Sequence, residues 1–76
     1  MTNNAHTTIE KLIEKNGRGE GTLIGVDSHA YSLIGYTKRQ LRDAGWPRED
    51  ITQVMDMAMS SDYNHVISTC MSVLEG

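Results

Sequence analysis

The chain has 76 residues, a formal net charge of −3 at neutral pH and one cysteine, Cys70. This length predicts a single small domain over residues 1–76, which has little core of its own. A lone cysteine excludes an internal disulfide, and the three histidines are too scattered to complete a structural zinc site. Self-association is the remaining means of stabilisation, so we expect a homo-oligomer, a tetramer in preference to a dimer.

The acidic charge balance and the hydropathy exclude further classes of partner. A net charge of −3 argues against broad binding to nucleic-acid polymers or anionic membranes. No apolar run approaches the ~20 residues of a membrane span, and the polar start lacks the pattern of a signal peptide. We therefore expect an intracellular protein with neither a nucleic-acid polymer nor a membrane as a partner.

The first third of the chain predicts one helix, a hinge and a strand. Residues 1–6 are polar and are expected to be flexible, and a capping box from Thr7 to Glu10 predicts a helix that ends near Asn16. The glycines of 17–21 predict a hinge, since no Lys-Ser or Lys-Thr pair follows them as in a phosphate-binding loop. The run 22–26 predicts a short strand whose partner comes from another subunit.

A second helix is predicted from an N-cap at Asp27 or Ser28 to Ala44, with Gly45 ending it. Gly35 lies in the middle of this helix, so a break there is the alternative to one continuous helix. At 100° per residue, one sector of the helix forms the expected core face. It contains Ala30, Ile34, Thr37, Leu41 and Ala44.

Two more helices complete the predicted fold. The third begins next to Pro47, and its apolar spacing predicts a buried face of Ile51, Val54, Met55, Ala58 and Met59, with Met57 pointing away. Asp62 caps the fourth, which is expected to run to the end of the chain. Its predicted apolar face is Tyr63, Val66, Ile67, Cys70 and Leu74, with Met71 at the edge. The predicted fold is mainly α, with three to four short helices and one short N-terminal strand, packed as a homo-oligomer.

Catalysis is poorly supported by these residues. Cys70 lies on the apolar face of the last helix, where an inert buried thiol is the usual occupant. Ser61, Asp62 and His65 lie within about one helical turn, whereas catalytic triads are assembled across a fold. We therefore expect no enzyme activity, no cofactor and no metal site.

A second sector of the predicted second helix favours ligand binding. Lysine and arginine donate to phosphate oxygens, a tyrosine ring can stack on a base, and a glycine lets a planar group approach the helix. The patch is too compact for a nucleic-acid polymer, and it suits either a small ligand with one or two phosphates or an acidic partner helix. A solvated basic surface is the alternative. The sector contains Ser28, Tyr31, Gly35, Lys38 and Arg42, with Arg39 at its edge.

Two stretches of the sequence resemble a family of small bacteriophage proteins. The first, GVDSHAYSLIG at 25–35, is similar to that family's pattern of a strand, Asp or Gly, Asn or His, Ala, an aromatic, two apolar residues and Gly. The second, AMSSDYNHVI at 58–67, follows AGW at 44–46 and is similar to the family's signature Ala, Thr or Met, Ser, Gly, Asp, Tyr, Asp or Asn, His, Leu, Leu. Ser61 and Asn64 stand where that pattern usually has Gly and Asp. The resemblance covers about residues 23–74.

That family includes phage sponges that sequester cyclic dinucleotides and blunt the host's CBASS immune signalling. The resemblance implies a homo-oligomer in the host bacterial cytoplasm that binds a 3′3′-cGAMP-like ligand without cleaving it. It also adds Asp62, Tyr63 and His65 to the ligand-binding candidates. A small phage inhibitor or adaptor that docks a host enzyme through its basic helix face is the alternative. The base identity and linkage isomer of the ligand stay open.

Overall fold

The computed structural model describes the backbone of residues 4–75 and the side chains of residues 8–75. The mainly helical prediction is confirmed, with four helices and two very short strands in this range. No helix within it is long and apolar enough to cross a bilayer. The elements in chain order are α1 (Asn4–Asn16), β1 (Gly19–Glu20), α2 (Ala30–Asp43), α3 (Arg48–Ala58), α4 (Tyr63–Val73) and β2 (Leu74–Glu75).

The two strands form a parallel sheet that joins distant parts of the chain. Gly19 pairs with Leu74, and Glu20 pairs with Glu75. A Cβ on the buried Gly19 would lie 3.2 Å from a methyl group of Leu41 and 3.3 Å from the Gln40 carbonyl. The absence of a side chain therefore lets β1 pack directly on α2. A paired strand thus occupies part of 17–21, where the glycine spacing predicts a hinge.

The prediction of a strand at 22–26 is wrong. These residues form a turn, in which the Val26 N–H donates to the Leu23 carbonyl at 3.1 Å. Gly25 has a φ of +85°, a value that L residues with side chains rarely adopt. The β-propensity of the run fails because this turn interrupts it, and the sheet forms from β1 and β2 of one chain without a second subunit.

Two of the predicted helix starts also differ. α1 begins at Asn4, so Thr7 lies inside the helix rather than at its N-cap, and residues 4–6 of the segment expected to be flexible are helical. The other residues of that segment, 1–3, lie outside the described part of the chain. His29 is the N-cap of α2, and its Nδ1 accepts from the Tyr31 N–H at 3.2 Å. Asp27 accepts from the His29 N–H at 3.1 Å, so it holds the cap residue and is not the cap itself.

The predicted end of α1 and the continuity of α2 are confirmed, while α2 ends at Asp43, one residue before the predicted Ala44. α1 ends at Asn16, and α2 is one continuous helix through Gly35. After α2, the N–H of Gly45 donates to the Arg42 carbonyl at 3.0 Å and the N–H of Trp46 donates to the Leu41 carbonyl at 3.1 Å. With Gly45 at a φ of +91°, these bonds form a Schellman motif.

The start of α4 is also confirmed, but its end is not. The Asp62 carboxylate accepts from the His65 N–H at 3.0 Å and so caps the helix. α4 stops at Val73 because the next two residues leave the helix to pair with β1.

The buried residues form a main cluster between all four helices and a smaller one between α2 and α4. On α2 the buried residues are Leu33, Thr37 and Leu41, and Ala44 is exposed, so the core face differs from the predicted sector. The main cluster contains Ile9, Leu12, Leu41, Trp46, Ile51, Val54, Met55, Val73 and Leu74; the smaller contains Leu33, Val66 and Cys70.

Two methionines of α3 are placed opposite to expectation. Met57 is partly buried against the main cluster, although the helical spacing predicts that it points away. Met59 is exposed, because it lies beyond the last residue of α3 and does not follow the helical spacing. Both predictions are therefore wrong.

The end of α1 is joined to α3 by three polar side chains, which we call the Asp50 cluster. The amide of Asn16 donates to Oδ2 of Asp50 at 3.0 Å, and Nζ of Lys15 lies 3.0 Å from the same oxygen. The hydrogen bond from Asn16 and the proximity of Lys15 lower the pKa of Asp50, against the opposing effect of burial. The buried carboxylate of Asp50 is therefore balanced within the fold.

Candidate ligand-binding surface

Four of the predicted ligand-binding residues lie together on one exposed surface of α2. This shallow depression has a volume of about 470 Å³, and we call it the basic depression. Residues three and four positions apart are neighbours on a helix surface, and α2 is continuous here. The sequence prediction that these side chains share a face is confirmed for Gly35, Lys38, Arg39 and Arg42; Tyr36 also lines the depression.

The cations of the basic depression have no ion-pair partner among the described side chains. Among residues 8–75, none of Lys38, Arg39 and Arg42 forms an ion pair. Lys38 and Arg42 are four residues apart, a spacing at which like charges destabilise a helix by about 0.2–0.5 kcal/mol. The helix dipole favours Arg42 in the last turn, but it decays within that turn and does not favour Lys38. An anion bound here would remove the repulsion and form charge-assisted hydrogen bonds.

Gly35 leaves the surface of α2 bare at the edge of the basic depression. A Cβ at this position would meet no atom within 4 Å, and the backbone is helical without a positive φ. Neither packing nor backbone geometry therefore requires glycine, which costs about 1 kcal/mol relative to alanine inside a helix. The space would let a planar group or another backbone come close to α2.

The ring that lines the basic depression is Tyr36, which the sequence prediction missed. Tyr36 is half-buried, and its hydroxyl lies against Gly21, where a Cβ would clash with it. Gly21 has a φ of +114° just after β1, so the glycine lets the tyrosine rest on the loop. The signal in the sequence was its position next to Gly35 and three residues before Arg39, but the helical wheel placed it outside the basic sector.

Tyr31 does not line the basic depression, although it belongs to the predicted sector. Its ring is 77% exposed and stacks on His29, with ring centroids 5.6 Å apart and an interplanar angle of 18°. The pair stands at the first turn of α2, where the His29 ring also caps the helix. The aromatic surface predicted from Tyr31 is thus present, but it lies one turn away from Gly35.

Two other predicted ligand-binding residues, Ser28 and Tyr63, lie on a different surface. The Tyr63 hydroxyl donates to the Ser28 carbonyl, which connects the loop before α2 to the start of α4. Both residues line a groove of about 380 Å³, which we call the apolar groove. Its lining residues are Thr22, Leu23, Ile24, Val26, Ser28, Leu33, Tyr63, Ile67 and Met71. The sequence places Tyr63 on the apolar face of α4 and Met71 at the edge of that face, and in the structure both side chains are exposed at this groove.

Asp62 and His65, the remaining candidates, line neither surface. Asp62 caps α4 by accepting from the backbone N–H of His65, so the contact between the two residues does not involve the imidazole. The pairing of an acid and a histidine in the sequence is explained by this cap. The structure does not bring either residue to the basic depression.

Cys70 is fully buried in the smaller cluster, as its place on the apolar face predicts. Burial raises the pKa of the thiol, and a hydrogen bond involving Thr37 opposes the shift without cancelling it. Across the described side chains, no three His, Cys, Asp or Glu residues converge in a way that could hold a metal ion.

Comparison with known proteins does not assign the chain to a family. No protein-family model, no curated protein and no solved structure matches the chain. The resemblance to small bacteriophage proteins therefore stays a prediction from the two sequence stretches at 25–35 and 58–67.

Proposed function

We propose that this protein binds a cyclic dinucleotide at the basic depression and sequesters it without cleaving it. In this proposal the chain is a phage sponge for 3′3′-cGAMP-like signals and acts against CBASS immunity in the host bacterial cytoplasm. The general ligand chemistry, a compact group with one or two phosphates, is supported by the surface of α2. The cyclic dinucleotide and the phage setting are supported by the sequence resemblance alone.

The observation behind the proposal is a cluster of three cations that form no ion pair with any described residue, beside a stretch of helix without a side chain at Gly35. Lys38, Arg39 and Arg42 meet no carboxylate among the described residues, in a chain whose net charge is −3. From Gly35 to Arg42 the helix rises only about 10 Å. A nucleic-acid polymer needs a longer positive stripe, whereas one or two phosphates need no more than this length.

Binding without cleavage is favoured by the residues of the basic depression. Phosphodiester hydrolysis needs a group that activates water, such as a histidine, a carboxylate or a metal ion. The five lining residues are Gly35, Tyr36, Lys38, Arg39 and Arg42, and they include no histidine and no carboxylate. The cations would hold the phosphates, and the Tyr36 ring would contact a base or ribose.

A second candidate is a small inhibitor or adaptor that docks an acidic segment of a host enzyme. The basic depression is shallow and open to solvent, and this shape also suits a helix that carries carboxylates. Both candidates use the same cations, so charge reversal alone does not separate them. Retention of an isolated nucleotide does.

The test is native mass spectrometry of the wild-type chain with a panel of cyclic dinucleotides and trinucleotides, followed by heating and recovery of the bound ligand. We expect a retained cyclic dinucleotide that is recovered intact. An enzyme would release a linear product, and an adaptor would retain no nucleotide; either result contradicts the proposal. Arg42→Glu should abolish retention, whereas the matched control Arg48→Glu, on the exposed start of α3, should not.

A further inference from the structure

The apolar groove concentrates the exposed apolar side chains of the protein. Five large apolar side chains are exposed among residues 8–75, and three of them line this groove. They are Ile24, which is 88% exposed, Met71 at 61% and Tyr63 at 44%. Large exposed apolar patches are rare on monomeric proteins and commonly mark interaction sites, so this groove is the first candidate for an interaction surface.

Ile24 is held in solvent by an ordered turn rather than by a loose loop. The Val26 N–H donates to the Leu23 carbonyl at 3.1 Å, and Gly25 has the positive φ that the third position of a type II turn requires. The Ile24 N–H also donates to the Thr22 hydroxyl at 3.3 Å. The turn therefore presents an apolar side chain in a defined position at the rim of the groove.

The charge of the groove indicates what covers it. None of its nine lining residues is charged, in a chain whose net charge is −3. Two copies of an acidic chain repel each other, and a twofold contact places a surface patch against the same patch of the other copy. An uncharged patch forms such a contact without apposing like charges. An acidic or basic partner, by contrast, would find no ion pair here.

We propose that the apolar groove is an interface between two copies of this chain, with Ile24 of each copy inserted into the groove of the other. A projection and a groove that lie side by side are self-complementary about a twofold axis. Ser28 and Tyr63 would then lie at the interface, since both line the groove. The inference does not depend on the proposed ligand, because it is tested without nucleotide.

The first experiment measures mass by light scattering and sedimentation of the wild-type chain, Ile24→Lys and Met71→Lys, without nucleotide. We expect the wild type to have at least twice the 8.5 kDa mass of one chain. Each substitution puts a charge into the contact and should weaken association by at least about tenfold. Met59→Lys is the matched control, since Met59 is similarly exposed but outside the groove, and it should associate like the wild type.

A second experiment locates the contact. A chain with Ile24→Cys is mixed with a differently tagged chain with Met71→Cys and treated with a short thiol cross-linker. We expect a product that contains both chains, and none when Met59→Cys replaces Met71→Cys. A wild-type chain that stays monomeric at a protein concentration on the order of 100 µM overturns the inference. An apolar peptide or an acyl chain would then be the occupant to test. An oligomer that Ile24→Lys and Met71→Lys leave intact, while circular dichroism shows all variants folded, also overturns the inference.

Discussion

The Asp50 cluster and the basic depression both contain cations on helices, and they differ in what balances the charge. In the first, Lys15 meets a buried carboxylate 3.0 Å away, which Asn16 also contacts. In the second, Lys38, Arg39 and Arg42 meet no carboxylate among the described residues. A charge balanced inside the fold contributes to stability, whereas a group of like charges left unbalanced is available to a ligand. Substitutions in the Asp50 cluster should therefore lower the free energy of unfolding and leave ligand affinity unchanged. Substitutions in the basic depression should lower ligand affinity and leave the free energy of unfolding nearly unchanged.

The largest effect is expected from reversing two charges of the basic depression, with Arg39→Glu and Arg42→Glu combined. Each reversal removes a charge-assisted hydrogen bond and adds repulsion, so affinity for 3′3′-cGAMP should fall at least about 100-fold in calorimetry. The free energy of unfolding should change by no more than about 0.5 kcal/mol, as for other surface substitutions. Lys11→Glu, an exposed reversal on α1, is the control and should bind like the wild type. Unchanged affinity in the double variant would show that the cations are only a solvated surface.

The reverse pattern is expected for Asp50→Ala. This substitution leaves the amide of Asn16 and the ammonium of Lys15 without their acceptor, so the free energy of unfolding should fall in urea titrations. Nucleotide affinity should stay unchanged, because the basic depression is on α2. Asp56→Ala, an exposed carboxylate on the same helix, is the matched control and should have little effect on stability. A loss of affinity without a loss of stability in Asp50→Ala would break the distinction between the two regions.

A pH titration tests whether the charge of Asp50 contributes to the free energy of unfolding. The pKa of Asp50 is lowered in the folded state from its ordinary value of 3.8, first by the Asn16 hydrogen bond and then by Lys15. Folding therefore binds fewer protons at this site, so the stabilisation is present above that ordinary value and is lost as the pH falls through the folded pKa. The difference in urea midpoint between wild type and Asp50→Ala should be largest well above the ordinary value of 3.8 and should shrink as the pH falls below it. A constant difference over this range would contradict the assignment.

The smallest effect is expected at Gly35, and its two readouts should have opposite signs. Gly35→Ala should raise the free energy of unfolding by about 0.5–1 kcal/mol, since the new methyl group meets no atom and the helix gains propensity. If a ligand approaches the bare helix there, the methyl group should weaken its binding in calorimetry. A variant that is more stable and binds equally well would show that Gly35 is unimportant for the ligand.

The helices of this fold were accessible from the sequence because their signals are local. The Asp62 cap, the Schellman glycine Gly45 and the apolar spacing of α3 each depend on residues within a few positions of one another. The strands were not accessible. Gly19 is in a strand because Leu74 pairs with it, and a Cβ at Gly19 would lie only 3.2 Å from a methyl group of Leu41. Neither neighbour is near Gly19 in the sequence.

The candidate site was predicted in part for the same reason. The alignment of Gly35, Lys38 and Arg42 follows from helical geometry alone, so periodicity found it. That Tyr36 lines the basic depression, where the sequence predicts Tyr31, depends on Gly21 and on the loop after β1. A helical wheel does not include that loop. Likewise, the position of Tyr63 at the apolar groove depends on its contact with Ser28, 35 residues away.

The pairing of β1 with β2 has a consequence for synthesis on the ribosome. Leu74 and Glu75 complete the sheet with Gly19 and Glu20, and the Arg18 side chain donates to the carbonyl of Ser72, 54 residues further along. None of these bonds can form until α4 and the residues after it have left the exit tunnel. The helices can form during translation, but β1 can pair with β2 only after residues 74–75 have been synthesised.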